Sequence, residues 1–197
     1  MPKLNLPYHL QPEEIFVVSD HHFGHEEVIT QYNRPFQSIH DMTETAIRRW
    51  NEVVTKRSWV IYLGDIGLGT KELFEYVFSR LHYGQIFLVT GNHDVVRGYW
   101  KDQFSKIYTD QYLEVAAPNA PGLICCHFPM LSWKKKAEGY RHCYGHVHNN
   151  MPDLQRMLSV NVCVEMWDFY PPSLAQIDAF LKKKLAHGKI SCTNDTL

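Results

Sequence analysis

Apolar residues along this chain gather into short continuous runs that stop abruptly on polar groups. Ile15 to Val18, Trp59 to Leu63, the run that begins near Gln85 with Ile86 and leads into Gly91, and Leu123 to Cys126 are such runs, and Tyr140 to Tyr144, mixed in polarity, leads likewise into Gly145. They lack a helical period, and a strand buried on both faces reads as an unbroken apolar stretch, so each predicts a buried strand. Between them the period changes. Residues 41–54 place Ile47, Trp50 and Val54 on one face, with Glu44 set for a capping box behind Asp41, and residues 71–81 carry Leu73, Phe74, Val77, Phe78 and Leu81 at helical spacing. A shorter helix over 25–32 is broken by Asn33-Arg34-Pro35-Phe36. Strand, helix, strand, helix, strand argues for a layered α/β architecture.

From Lys106 onward the elements shorten. Lys106 to Tyr108, Tyr112 to Ala116 and Leu123 to Cys126 predict strands, with Pro118-Asn119-Ala120-Pro121-Gly122 as a turn, and such short connections imply antiparallel pairing. Leu158 to Val164 predicts another strand, Met166 to Pro172 a turn, and Ser173 the N-cap of a helix running through Leu185. Pro2, Pro7 and Pro12 make the first dozen residues an extended, turn-rich lead-in, and the polar tail after Gly188 is expected to fray.

Composition adds limits. The 197 residues suit one domain spanning 1–197; 45% are hydrophobic and 21% charged, and no apolar run approaches the ~20 residues a bilayer requires. No membrane partner and a cytoplasmic setting are therefore expected. Five cysteines without a Cys-x-x-Cys pair, four of them (Cys125, Cys126, Cys143, Cys163) in apolar segments, suit reduced thiols packed as small hydrophobes. A net charge of -1 supplies no global field for a long nucleic acid. The glycine-rich stretch 64–70 lacks phosphate-loop spacing, and Lys134 to Lys136 read as a solvated charge run or else a lip that draws in phosphate.

The chemistry lies where the runs end. The first ends on Ser19-Asp20-His21-His22-Phe23-Gly24-His25, the next on Gly64-Asp65, the third on Gly91-Asn92-His93-Asp94, the fourth on His127 and the fifth on Gly145-His146-Val147-His148. Seven of the twelve histidines sit in these blocks. Carboxylates, imidazoles and an amide at the carboxyl ends of buried strands are the donor types of a transition-metal site, placed where α/β sheets put their ligands.

This ordered set resembles the calcineurin-like metallophosphoesterase superfamily, whose pattern is Asp-x-His, Gly-Asp, Gly-Asn-His-Asp/Glu, His and Gly-His-x-His. The resemblance spans Ile15 to His148, and Asp-x-His-Phe-Gly-His with a nearby Arg-Pro-Phe is similar to small bacterial and phage phosphoesterases. It implies an α/β fold of two facing mixed β-sheets flanked by helices, a four-layer α/β/β/α sandwich. It also implies two divalent transition-metal ions, manganese first, with iron, zinc, nickel or cobalt as alternatives. Carried over, Asp20, His22 and His148 would hold one ion, Asn92, His127 and His146 the other, and Asp65 would bridge them. His93 would protonate the leaving oxygen with Asp94 holding its ring, and Arg34 and His25 are the candidate substrate contacts, with a surface salt bridge as the alternative for Arg34 and support of a ligand as the alternative for His25. The sequence after Asp65, Ile66-Gly67-Leu68-Gly69, lacks the arginine that protein phosphatases carry there. The implied activity is hydrolysis of a small, nucleotide-like phosphomonoester or phosphodiester by metal-activated hydroxide. A nuclease acting on DNA or RNA ends and a non-catalytic metal-binding scaffold are the alternatives.

Overall fold

The computed structural model describes residues 1–95, 102–117, 122–151 and 157–188. In chain order the strands are β1 (Lys3–Asn5), β2 (Ile15–Val18), β3 (Trp59–Tyr62), β4 (Gln85–Val89), β5 (Lys106–Tyr108), β6 (Tyr112–Ala116), β7 (Leu123–Cys126), β8 (Arg141–Tyr144) and β9 (Ser159–Asn161). The helices are α1 (Glu27–Gln31), α2 (Ile39–Val53), α3 (Lys71–Phe78) and α4 (Leu174–Gly188). The strands form two sheets, ordered β2-β3-β4-β5 and β1-β6-β7-β8-β9.

Alternation along β2, β3 and β4 explains their unbroken apolar runs. Phe16, Val18, Val60, Tyr62, Ile86 and Leu88 face a core made with Val28 of α1, Met42, Ile47 and Trp50 of α2 and Phe74, Val77 and Phe78 of α3. Their neighbours Ile15, Val17, Ile61, Phe87 and Val89 face the other way, onto Leu113, Val115, Leu123, Cys125, Cys143 and Val160 of the second sheet. Leu174, Ile177 and Leu181 of α4 join this inter-sheet core. Burial of both faces leaves little freedom of register, and the sheets are further tied where Ser19 N–H donates to Val162 O (3.1 Å) and Val164 N–H to Ser19 O (3.2 Å).

Several expectations change. Among the strands of the described residues only β6 and β7 pair antiparallel; β5 joins β4 in parallel, because the chain leaves the first sheet after Tyr108 and enters the second at Tyr112. The proline-rich lead-in contributes β1, parallel to β6, its one buried residue Leu4 lying between exposed Lys3 and Asn5. Such a pattern is too short to stand out from a coil. Helix α2 starts before Asp41: Ser38 Oγ accepts from Asp41 N–H (3.1 Å), and Asp41 reaches back to Gln37 N–H (3.2 Å), so Ser38 is the cap. Ser173 does cap α4, paired reciprocally with Gln176. Pro118 to Pro121 and the tail beyond 188 lie outside the described residues.

The outer face of the five-stranded sheet is covered by the loop 128–140. Trp133 packs on His142 with ring centres 5.3 Å apart, and Met130 N–H donates to His142 Nε2 (3.1 Å). Lys134 and Lys135 both bind Glu114, at 3.0 and 2.8 Å, and Lys136 binds Leu131 O. Lys134 stays 55% exposed while so paired, as a solvated charge run would be, and Lys135 is held closer in at 28%. All of the first sheet's strands run parallel, as do β7 and β8, so their carboxyl ends meet at one edge of the sandwich.

Candidate metal centre

At that edge the backbone is bent where donors are needed. Asp20, His22, Asp65, His146 and His148 all have positive φ, between 48° and 69°. Each costs an L-residue about 1–2 kcal/mol and persists only where surrounding bonds enforce it. The enforcing bonds join two strand-end loops: Asp20 N–H to Gly64 O (3.0 Å), His22 N–H to Asp65 O (3.1 Å) and Phe23 N–H to Ile66 O (2.8 Å). Two glycines make the approach possible. A Cβ on Gly64 would lie 2.2 Å from Gly91 N, and one on Gly145 would lie 2.3 Å from Asp20 Oδ2.

The structure brings the donors into two groups, Asp20 with His22 and His148, and Asp65 with His127 and His146. In the first, His22 Nε2 and His148 Nε2 lie 3.9 and 3.7 Å from Asp20 Oδ1. Asp65 faces both groups, its Oδ2 3.6 Å from His22 Nε2 and 3.4 Å from His127 Nε2. Asn92 Oδ1 stands 3.0 Å from His127 Nε2, which places the amide in the second group. Most of these spacings are long for hydrogen bonds. Donors each ~2.1 Å from a shared ion stand roughly 3–3.4 Å apart, which the second group matches and the first exceeds by a few tenths of an ångström. His22 Nε2 is buried and has no hydrogen-bond partner, an arrangement that is costly unless an ion takes the lone pair. The residues therefore fit divalent metal.

Electrostatics agree with that fit. Burial drives the His22 imidazole down to about 2, leaving it neutral with a lone pair to give. Burial also raises the Asp20 carboxyl and would raise Asp65, but the hydrogen bond and charge of His127 and the N–H of His93 hold Asp65 at about 2. Burial works against charge on His127 as well, yet Asp65 and Asp20 keep it up at about 8. An ion would displace that proton.

The rings are aimed from behind. His127 Nδ1 is 2.7 Å from Leu63 O and His148 Nδ1 is 2.8 Å from Glu165 Oε1; both partners only accept, so the proton sits on Nδ1 and Nε2 faces inward. His22 Nδ1 is 3.2 Å from His25 Nδ1, which turns His25 toward supporting a donor. The His93 ring stands beside those of His22 and His25, centres 5.3 and 5.8 Å away, while its main-chain N–H donates to Asp65 Oδ1 (2.9 Å).

Two expected roles are corrected. Asp94 does not hold the His93 ring: its carboxylate accepts from the N–H groups of Gly91 (2.8 Å), Asp65 (2.9 Å) and Ile66 (3.0 Å), cross-linking two strand ends, with burial raising it to about 6. Arg34 is not a substrate contact. Its buried guanidinium donates to Asp20 O (2.6 Å), His21 O (2.7 Å), Met42 Sδ (3.2 Å) and Glu165 Oε1 (2.8 and 2.5 Å), which uses all five N–H groups and leaves nothing to offer a phosphate. Arg34→Met is therefore expected to cost about 3–5 kcal/mol, since it strands Glu165 as a buried charge. Urea unfolding in chelator checks this; unchanged stability with a raised KM would return Arg34 to the substrate.

Three participants escaped the sequence reading. Glu165 backs His148, Cys163 Sγ donates to Asp20 Oδ2 (3.1 Å), and the Tyr32 ring stacks on His148 at 3.6 Å. Cys163 falls in the segment read as a strand and Glu165 between that strand and the turn after it, where only an acidic residue amid apolar neighbours hinted at a buried partner.

No protein-family model matches the chain. It is 30% identical over 181 residues to the uncharacterized protein MJ1445 of Methanocaldococcus jannaschii, a match covering 86% of this chain and 92% of that protein. The crystal structure of a protein of unknown function, AQ665 from Aquifex aeolicus, superposes with a TM-score of 0.69 at 23% identity, covering 84% of this chain and 98% of that one, which shows a shared fold. A predicted phosphoesterase from Streptococcus pneumoniae TIGR4 aligns over 76% of this chain and 70% of its own, at 19% identity and a TM-score of 0.38, below what a shared fold gives. The chain belongs to the family of the Methanocaldococcus jannaschii protein MJ1445.

Proposed function

We propose that this chain is a dinuclear metal-dependent phosphoesterase of the calcineurin-like superfamily, acting on small phosphomonoesters or phosphodiesters. The observation that carries the reading is the Asp65 carboxylate, set between two groups of donors that five strand ends deliver to one edge. Asp20, His22 and His148 would hold one ion, Asn92, His127 and His146 the other, and Asp65 both. Imidazole, carboxylate and amide donors suit manganese, iron, zinc, nickel or cobalt. Bound there, two such ions supply charge neutralisation at the phosphoryl oxygens and a nucleophilic water of lowered pKa.

The chain's own side chains do the rest. Asp65 fixes the spacing of the two positions and also anchors the His93 main chain. The neutral donors His22 and Asn92 restrain the negative charge facing an anionic substrate. His93 is half-buried beside His22, its ring hydrogen-bonds to none of the described residues, and it would meet a departing oxygen and give it a proton. Asp94 acts at a distance, by holding the loops of residues 65, 66 and 91 together. The end-acting nuclease reading gains nothing from Lys134 and Lys135, which Glu114 occupies.

Purified protein stripped of metal is expected to be inactive on bis-nitrophenyl phosphate, and to regain turnover with added Mn2+. A metal-supplemented panel of phosphomonoesters, phosphodiesters and nucleotides then ranks substrates. Turnover that survives exhaustive chelation would place the chemistry elsewhere.

A further inference from the structure

One ion pair reaches both ends of the first donor group. Glu165, on the 3-10 turn Val164–Trp167, uses a single oxygen, Oε1, for His148 Nδ1 (2.8 Å) and for Arg34 Nε and Nη2 (2.8 and 2.5 Å). The same guanidinium clamps the carbonyls of Asp20 and His21, fixing the strained turn that presents Asp20 and His22. The Arg34 and Glu165 side chains are only 0% and 6% exposed. Neither hydrogen-bonds to Asp65, Asn92, His127 or His146: Leu63 O backs His127, the His93 N–H holds Asp65, and the Asp20 carboxylate accepts from His146 N–H.

Resting on the metal-centre reading, we propose that Glu165 is a positioning residue for His148, and that it sets the affinity of the Asp20–His22–His148 position alone, so that the two positions load as separate events. A neutral imidazole has one N–H. A carboxylate at Nδ1 can only accept, so the proton is kept there and the Nε2 lone pair is left facing Asp20 Oδ1 at 3.7 Å. Tyr32, stacked 15° from parallel, fixes the plane of the ring, and Glu165 fixes its rotation within that plane. Arg34 cancels the carboxylate's charge, so Glu165 orients His148 without adding net negative charge to the centre. Without an acceptor at Nδ1, the tautomer carrying the proton on Nε2 would point that proton at the ion.

The test is a Zn2+ titration of the chain, followed by long-range proton–nitrogen NMR of the histidine rings, in which His148 and His127 report the two positions. Wild-type protein is expected to fill both, with His148 protonated at Nδ1 and bound through Nε2. Glu165→Gln keeps an acceptor oxygen and should stay within a few-fold of wild type. The double variant Arg34→Met with Glu165→Met removes the acceptor without stranding a charge and, compared with Arg34→Met with Glu165→Gln, which lacks the same guanidinium but keeps an acceptor, should weaken the His148 position by roughly 10- to 100-fold while the His127 position is unchanged. Unchanged binding at His127 also demonstrates that the variant is folded. Equal weakening at both positions, no weakening at His148, or wild-type His148 bound through Nδ1 would overturn the proposal. If the double variant fails to fold, the wild-type tautomer decides. Wild-type protein that binds no ion at all would instead contradict the metal-centre reading.

Discussion

Asp65→Ala is expected to empty both ion positions and to lower turnover by roughly 10³-fold or more, because several kcal/mol of charge stabilisation rest on the pair. No other carboxylate faces both groups among the described residues: Oδ2 lies within 3.6 Å of His22 and 3.4 Å of His127, and Oδ1 takes the His93 N–H. Its removal costs each position a donor and frees the loop that presents Asn92 and His93. Asp65→Asn separates these effects. The amide oxygen can still accept from His93 N–H, so the loop should hold, while the lost charge should still prevent two cations from sitting side by side. Elemental analysis after reconstitution, alongside turnover, reads both variants. Two ions per chain with wild-type turnover in Asp65→Ala would remove the bridging role.

His93→Ala is expected to keep both ions and lose roughly 10²- to 10⁴-fold in rate on esters with poor leaving groups. The structure supplies the reason for keeping them: the main-chain N–H of residue 93, which alanine retains, holds Asp65. Nitrophenolate departs without a proton, so the deficit should shrink on a nitrophenyl ester and remain large on an alkyl or ribose ester. Equal losses on both would make His93 chiefly a phosphate-binding group, and loss of an ion would make it a ligand. Asp94→Asn should alter the rate through the loops it cross-links, and so affect both ester types alike.

Much of this arrangement could be read from the chain because its physics is local. β2, β3 and β4 are buried on both faces, which forces unbroken apolar runs, and donors at the ends of such runs announce themselves. The ends of Ile15–Val18 and Gln85–Val89 were legible for that reason. Partnerships between distant residues were not. Arg34 pairs with Glu165 across 131 positions, and a lone arginine after a helix reads as readily as a substrate contact. The resemblance assigned Asp94 to the His93 ring, whereas its three partners are main-chain N–H groups that carry no sequence signal. Strand β1 holds one buried residue, and the parallel pairing of β5 depends on the chain changing sheets after Tyr108, which the length of the connection does not encode.

The central claim is a pair of ions at a shared carboxylate, and anomalous diffraction from a crystal soaked in Mn2+ tests it most directly. The account predicts two manganese peaks roughly 3.5–4 Å apart on either side of Asp65. One should lie within ligand distance of Asp20, His22 and His148, the other within ligand distance of Asn92, His127 and His146. A single peak, or peaks that leave Asp65 uncoordinated, would contradict it.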